Sequence, residues 1–199
     1  WPGQFQKEVI LKSLDQESLI ELNLLKKDNM RLREILSLQK SSNNNNISAA
    51  VISRKTGGWW RQIILNKGLK DGVEIGSTVT GPGGLLGRVN DISLFTSSVT
   101  LLTSPESKLG VWVDRSKING LMVGTGDDHA SLILYSKDAD IKVGDFVSSS
   151  PASSLLPPNI PIGIVQSINE TLQSKKTAKI LLLANPHVID WVQILKVNI

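Results

Sequence analysis

The sequence predicts a mainly β chain, with an N-terminal α-helical coiled-coil segment followed by two small, related β-barrel-like subdomains. Three observations carry that expectation. Residues from about Phe5 to Gln39 contain no proline or glycine and are rich in Leu, Lys, Glu and Gln, the composition of a helix. From Ile47 the apolar period changes to two, and glycine and proline turn signals multiply, as in a run of short connected strands. Finally, three landmarks recur in the same order. Val73-Glu74-Ile75-Gly76, Leu86-Gly87-Arg88-Val89 and Val99–Pro105 form one copy, and Ile141-Lys142-Val143-Gly144, Ile162-Gly163-Ile164-Val165 and Ile180–Pro186 the other. The offset grows from 68 to 76 to 81 residues, because strands hold register while surface loops accept insertions.

In chain order, the helix carries Leu22, Leu25, Asn29, Leu32 and Leu36 at spacings of 3, 4, 3 and 4, which places all five on one heptad seam. Glu21, Lys26, Lys27, Asp28, Arg31, Arg33 and Glu34 lie mostly off it, while Asp15 and Ser18 occupy seam positions and shorten the regular stretch. Asn29 on such a seam is best satisfied by the matching amide of a second helix in register, which favours a parallel homodimer. The alternative is a helix lying on its own β-domain. The polar run Ser41–Asn46 has poor helix propensity and nothing to bury, so it reads as a linker. Strands are expected at Ala49–Ser53, Arg61–Leu65, Gly110–Val113, Leu121–Gly124, Ser131–Leu134, Phe146–Ser148, Gly163–Ile168, Ala178–Ala184 and Val192–Val197, with turns at Lys55–Gly58, Lys70–Gly72 and Gly81–Gly84. The expected domains are a coiled coil over 1–40, a linker over 41–48, a first β-subdomain over 49–113 and a second over 114–199. An open alternative completes the first with residues 187–199.

Composition narrows the function classes. Without cysteine there is no disulfide, thiol nucleophile or cysteine metal ligand. A net charge of +4, scattered and without a basic tail or interleaved aromatics, argues against nucleic acid. The one local asymmetry is Arg54, Lys55, Arg61, Lys67 and Lys70 with no acid between Val51 and Lys70, which reads as a basic edge strand before it reads as an anion site. No apolar run approaches about 18 residues. The chain starts at Trp1, so a trimmed fragment is expected, with any membrane anchor upstream.

Catalytic chemistry finds little material. His129 and His187 are the only histidines, and no serine sits in a Gly-x-Ser-x-Gly context. Asp127-Asp128-His129 could be imagined as a metal or acid–base cluster, but flanking Gly124 and Gly126 make it a β-turn. Gly81-Pro82-Gly83-Gly84 lacks the Lys-Ser/Thr of a phosphate loop and reads as a hairpin turn. No metal or cofactor is expected. Trp59-Trp60 is the aromatic pair of interest: in a strand the two rings face opposite ways, so one ring can enter the core while the other either lies over the barrel surface or anchors a partner.

The helix ending in Asp28–Arg33, then Val51–Arg54, Trp59-Trp60, Ile63–Gly68, Lys70–Val73, Gly84–Val89, Leu101–Thr103, Lys137–Asp145 and Ile162–Val165, taken in order, resembles the MreC family of bacterial rod-shape-determining proteins. The resemblance covers essentially the whole chain. It implies a non-enzymatic scaffold of the cell-wall elongation machinery on the periplasmic side of the inner membrane, anchored by a single upstream helix. It further implies binding of a penicillin-binding transpeptidase and assembly with MreD, MreB and RodA. Two readings from other classes compete: a β-barrel hydrolase using His129 or His187, and a membrane-fusion-type adaptor, which would place a helical hairpin between two β-halves.

Overall fold

The computed structural model describes residues 15–27, 46–55, 61–136, 138–170 and 175–195. The chain divides into two compact units, Trp1–Asn44 and Asn45–Ile199. In the first, residues 15–27 form a helix, α1. Leu22 and Leu25 are 48% and 63% exposed on it, and Leu19, Ile20 and Leu24 are exposed as well. Asn29, Leu32 and Leu36 lie outside the described residues.

Among the described residues of the second unit, twelve strands close into two six-stranded barrels. The strands are β1 (Ile47–Lys55), β2 (Gln62–Leu65), β3 (Thr78–Gly81), β4 (Gly84–Ile92), β5 (Ser97–Leu101), β6 (Lys108–Val113), β7 (Asn119–Gly124), β8 (His129–Leu134), β9 (Phe146–Ser149), β10 (Pro161–Glu170), β11 (Lys176–Leu182) and β12 (Trp191–Leu195). Around the first barrel the order is β1-β12-β3-β4-β5-β2, and around the second β10-β11-β8-β7-β6-β9. All pairs are antiparallel. Each strand alternates one side chain inward and one outward, and the inward set of β5 is Ser97, Val99 and Leu101.

The division expected at residue 113 is displaced. β6 pairs with β7 and β9 and so belongs to the second barrel; the first barrel is closed instead by β12, which pairs with β1 and β3. Which barrel a strand joins depends on non-local hydrogen bonds, and the local pattern of β6 is equally good in either. The linker expected over 41–48 is shorter too, because β1 begins at Ile47.

Neighbour for neighbour, the two barrels correspond. β1, β2, β3, β4, β5 and β12 occupy the places of β7, β8, β9, β10, β11 and β6. The register slips recur: β4 slips against β5 after Val89, and β10 against β11 after Val165. Matching turns close on matching strands, Gly76 N–H donating to Val89 O at 2.8 Å and Gly144 N–H to Val165 O at 2.9 Å. The repeat is thus a duplication in which one barrel takes its sixth strand from the far end of the chain. The longer loop before β10 is not slack, since Leu156 enters the second core at 5% exposure.

The barrels meet through shared core residues. Leu85 at the start of β4 and Leu102 just after β5 lie in the second barrel's core, while Ala184 and Ile189 lie in the first's. The β3–β4 turn is pressed against the second barrel. A Cβ on Gly84, whose φ is 134°, would stand 2.1 Å from Pro161 O, so no side chain fits there. Gly84→Ala is expected to destabilise the protein by more than about 2 kcal/mol, strain and clash together. Gly126→Ala, at φ 85° with nothing within 4 Å, should cost only about 1 kcal/mol. Urea unfolding of both variants measures the difference, and equal costs would remove the steric joint.

Candidate partner-binding surface

The turn after β2 builds one outward-facing end of the first barrel. A 3₁₀ turn, Leu69–Asp71, follows Gly68, and the Asp71 carboxylate accepts from Gly68 N–H at 3.1 Å and from Lys67 Nζ at 2.8 Å. Those bonds to the charged form hold the Asp71 carboxyl below its usual range, the Lys67 ammonium being the larger cause. The turn docks on the β4–β5 hairpin: Leu69 N–H donates to Ser93 O at 3.0 Å and Lys70 N–H to Leu94 O at 3.1 Å. This brings exposed Leu69, Leu94 and Phe95 to one end of the barrel. Lys70 Nζ lies 4.4 Å from the centre of the Phe95 ring, a cation–π contact.

A second outcrop lies where β12 joins β1. Trp191, opposite Ala50, is 64% exposed, and Val188 and Ile52 are also exposed. Arg54 fastens this edge, donating to Pro186 O, Ile189 O and the Asp190 carboxylate. The basic run from Arg54 to Lys70 is thus partly neutralised by the adjacent Asp71 and by Asp190, which it meets only on folding. Trp191 escaped the sequence reading because it sits at the threshold of the last expected strand. The signal was its place in the alternation Trp191-Val192-Gln193-Ile194, exposed and buried by turns. Trp59 and Trp60 lie outside the described residues.

His129 and His187 each stand beside an aspartate of the β7–β8 turn. His129 Nδ1 is 3.4 Å from Asp127 and His187 Nε2 is 3.3 Å from Asp128. Asp127 is engaged in its turn, accepting from Thr125 Oγ1 and His129 N–H, and these bonds, Thr125 first, hold its carboxyl below the usual range. Among the described residues no group of three or more His, Cys, Asp or Glu could hold a metal ion. No described helix is long and apolar enough to cross a membrane.

On the second barrel, Arg115 in the β6–β7 turn clasps two carboxylates. It meets Asp140 at 2.6 Å and Asp145 at 2.8 Å. Hydrogen bonds to the guanidinium depress both carboxyls and raise the arginine. Beside this clasp, Val143 and Phe146 are exposed.

The profile of the family described as rod shape-determining protein MreC, barrel core, matches residues 51–196, a span that runs from within β1 past the end of β12. This chain belongs to the MreC family. The cell shape-determining protein MreC of Haemophilus influenzae is 30% identical over 83% of this chain and 48% of its own length, so the chain spans about half of that MreC. The Listeria monocytogenes MreC is 31% identical over 98% of this chain and 68% of its own. A solved MreC structure from Listeria aligns at TM-score 0.77 and 28% identity, covering 100% of this chain and 97% of that one. A complex of penicillin-binding protein PBP2 with MreC from Helicobacter pylori aligns at TM-score 0.60 and 15% identity, over 77% of this chain and 98% of that one, and shares the fold. The two-barrel body is the MreC architecture.

The Arg115 clasp makes a pH prediction for this MreC-family barrel. Asp140 and Asp145 have folded-state pKa values below the ordinary aspartate value of 3.8. Their contribution to stability is therefore present above that value and lost as pH falls through the depressed range. Urea midpoints followed from neutral pH into the acid range should decline less steeply below pH 3.8 in Asp145→Asn than in the parent; the same acid slope in both would remove the clasp from the balance.

Proposed function

We propose that the chain is a non-enzymatic periplasmic scaffold of the cell-wall elongation machinery. It dimerises through Leu22, Leu25, Asn29, Leu32 and Leu36 and binds a penicillin-binding transpeptidase on its barrel surface to maintain cell shape. In this reading the helix, the Asn/Ser-rich linker and the barrel pair are a dimerising arm, a tether and a platform. The observation that carries it is the display of exposed apolar side chains, Leu69, Leu94, Phe95 and Trp191, on a body whose two barrels share core residues. Rigid presentation of aromatic and aliphatic anchors suits a protein partner. Helix residues Leu22 and Leu25 are exposed in the single chain, which supports a seam completed by a second copy. That the Helicobacter pylori MreC is found with PBP2 supports the choice of partner, and Trp59 and Trp60 remain the proposed anchors for it. MreD, MreB and RodA would join through the assembled complex.

Sedimentation of the chain with and without residues 1–40 is expected to give a dimer and a monomer respectively; a monomer in both cases at high micromolar concentration would sink the seam. Transpeptidase binding should weaken by about 1–2 kcal/mol in Trp59→Ala or Trp60→Ala, with the far-ultraviolet circular dichroism unchanged. Normal binding by both variants would move the contact elsewhere, first to Phe95 and Trp191.

A further inference from the structure

A cleft of about 310 Å³ opens between the outer face of the first barrel and the segment that leads into β6. Ile75, Arg88, Asn90 and Thr100 line it from one side, and Glu106 and Lys108 from the other. Arg88 stands on β4 between Thr78 and Thr100, pointing away from the core that Val89 enters. Its Nε donates to Gly76 O at 3.3 Å. Its four terminal N–H groups meet no acceptor among the described residues, and no described carboxylate pairs with Arg88 or with Lys108. Burial without such a partner lowers the Arg88 pKa.

The second barrel supplies an internal control. It builds the same turn on the same strand, with Gly144 N–H donating to Val165 O, yet Ile164 stands where Arg88 stands in the first. The turn therefore does not require a guanidinium. A Cβ on Gly76 would stand 3.2 Å from Arg88 Nη2, so the guanidinium lies beside the turn whose carbonyl it meets.

We propose that this cleft is a carboxylate-binding site that takes an acidic side chain from an extended segment of a partner protein. Arg88 grips the carboxylate through paired N–H donors, and Lys108 stands across from it. The geometry of an arginine fork matches a carboxylate. Charge sets the occupant: Arg88 and Lys108 against Glu106 leave one net positive charge, which one carboxylate balances and a phosphate dianion would exceed. Size agrees, because the cleft is at the small end of ligand pockets and admits a side chain with its adjoining backbone. The inference depends on the scaffold reading only for the origin of the segment.

The test uses the whole chain, isotope-labelled at arginine and backbone amides, titrated with the blocked tripeptide acetyl-Ala-Glu-Ala-amide, with its Gln counterpart, and with inorganic phosphate. The Glu peptide should shift the Arg88 Nε–Hε resonance and the Lys108 amide saturably, with a dissociation constant on the order of 1 mM. The Gln peptide and the Arg88→Ile variant, which carries the residue the second barrel uses at this place, should each bind at least about tenfold more weakly. Lys108→Gln should fall between. No saturable shift up to about 10 mM Glu peptide, equal binding of the Gln peptide, undiminished binding by a folded Arg88→Ile, or tighter binding of phosphate would each overturn the proposal. Because no transpeptidase enters the measurement, failure here is separable from failure of the scaffold reading.

Discussion

The constraint on which the body of this protein depends is the exchange of core residues between its two barrels. Leu85 starts a strand of the first barrel yet is buried in the second core, and Ala184, two residues past the end of the second barrel's β11, is buried in the first. A small closed barrel has little interior, and burying a leucine or isoleucine side chain contributes about 1.5–3 kcal/mol. Pooling such residues across the joint makes each barrel part of the other's stability. The glycine turn before β4 lets backbone approach backbone at that joint, which is why the pair presents one surface and not two hinged ones.

On that common body, the two copies have diverged at their outer positions. The turns, the register slips and the strand neighbours repeat; the outward side chains do not. Thr78 is buried on β3, while Phe146 at the matching place on β9 is exposed. Arg88 faces the cleft where its counterpart is Ile164. Duplication supplies geometry twice and leaves each face free to acquire its own chemistry.

Much of this was legible in the chain, and the rest was not for specific reasons. The landmark repeats are made of glycines and β-branched residues whose backbone roles are local, so the barrels and the turn at Gly81–Gly84 could be read directly. The membership of β6 could not, because Lys108–Val113 alternates well enough for either barrel and only its pairing with β7 and β9 decides. Asp190 quenches part of a basic run that looked unopposed in sequence, since a partner 136 residues away is invisible to a local count. Arg88 was in view within Leu86-Gly87-Arg88-Val89, but its lack of an acidic partner among the described residues is a property of the folded cleft. The aromatic signal was split: Trp59 and Trp60 announced themselves as a pair, whereas Trp191 and Phe95 stand singly, and only exposure distinguishes them from core residues.

The strand swap has a consequence for how the molecule comes into being. The second barrel is built from consecutive strands, β6 to β11, and every strand pairing it needs lies within residues 108–182. The first barrel has five strands finished by Leu101 but waits for β12, which begins at Trp191. Closing it means bringing together chain segments separated by the whole of its neighbour, a loop closure with a larger entropic cost and a slower search. When the protein is made or threaded from its N-terminus, the barrel that emerges first is therefore the last to close. Until then β1 and β3 present open edges, flanking the gap that the last strand fills.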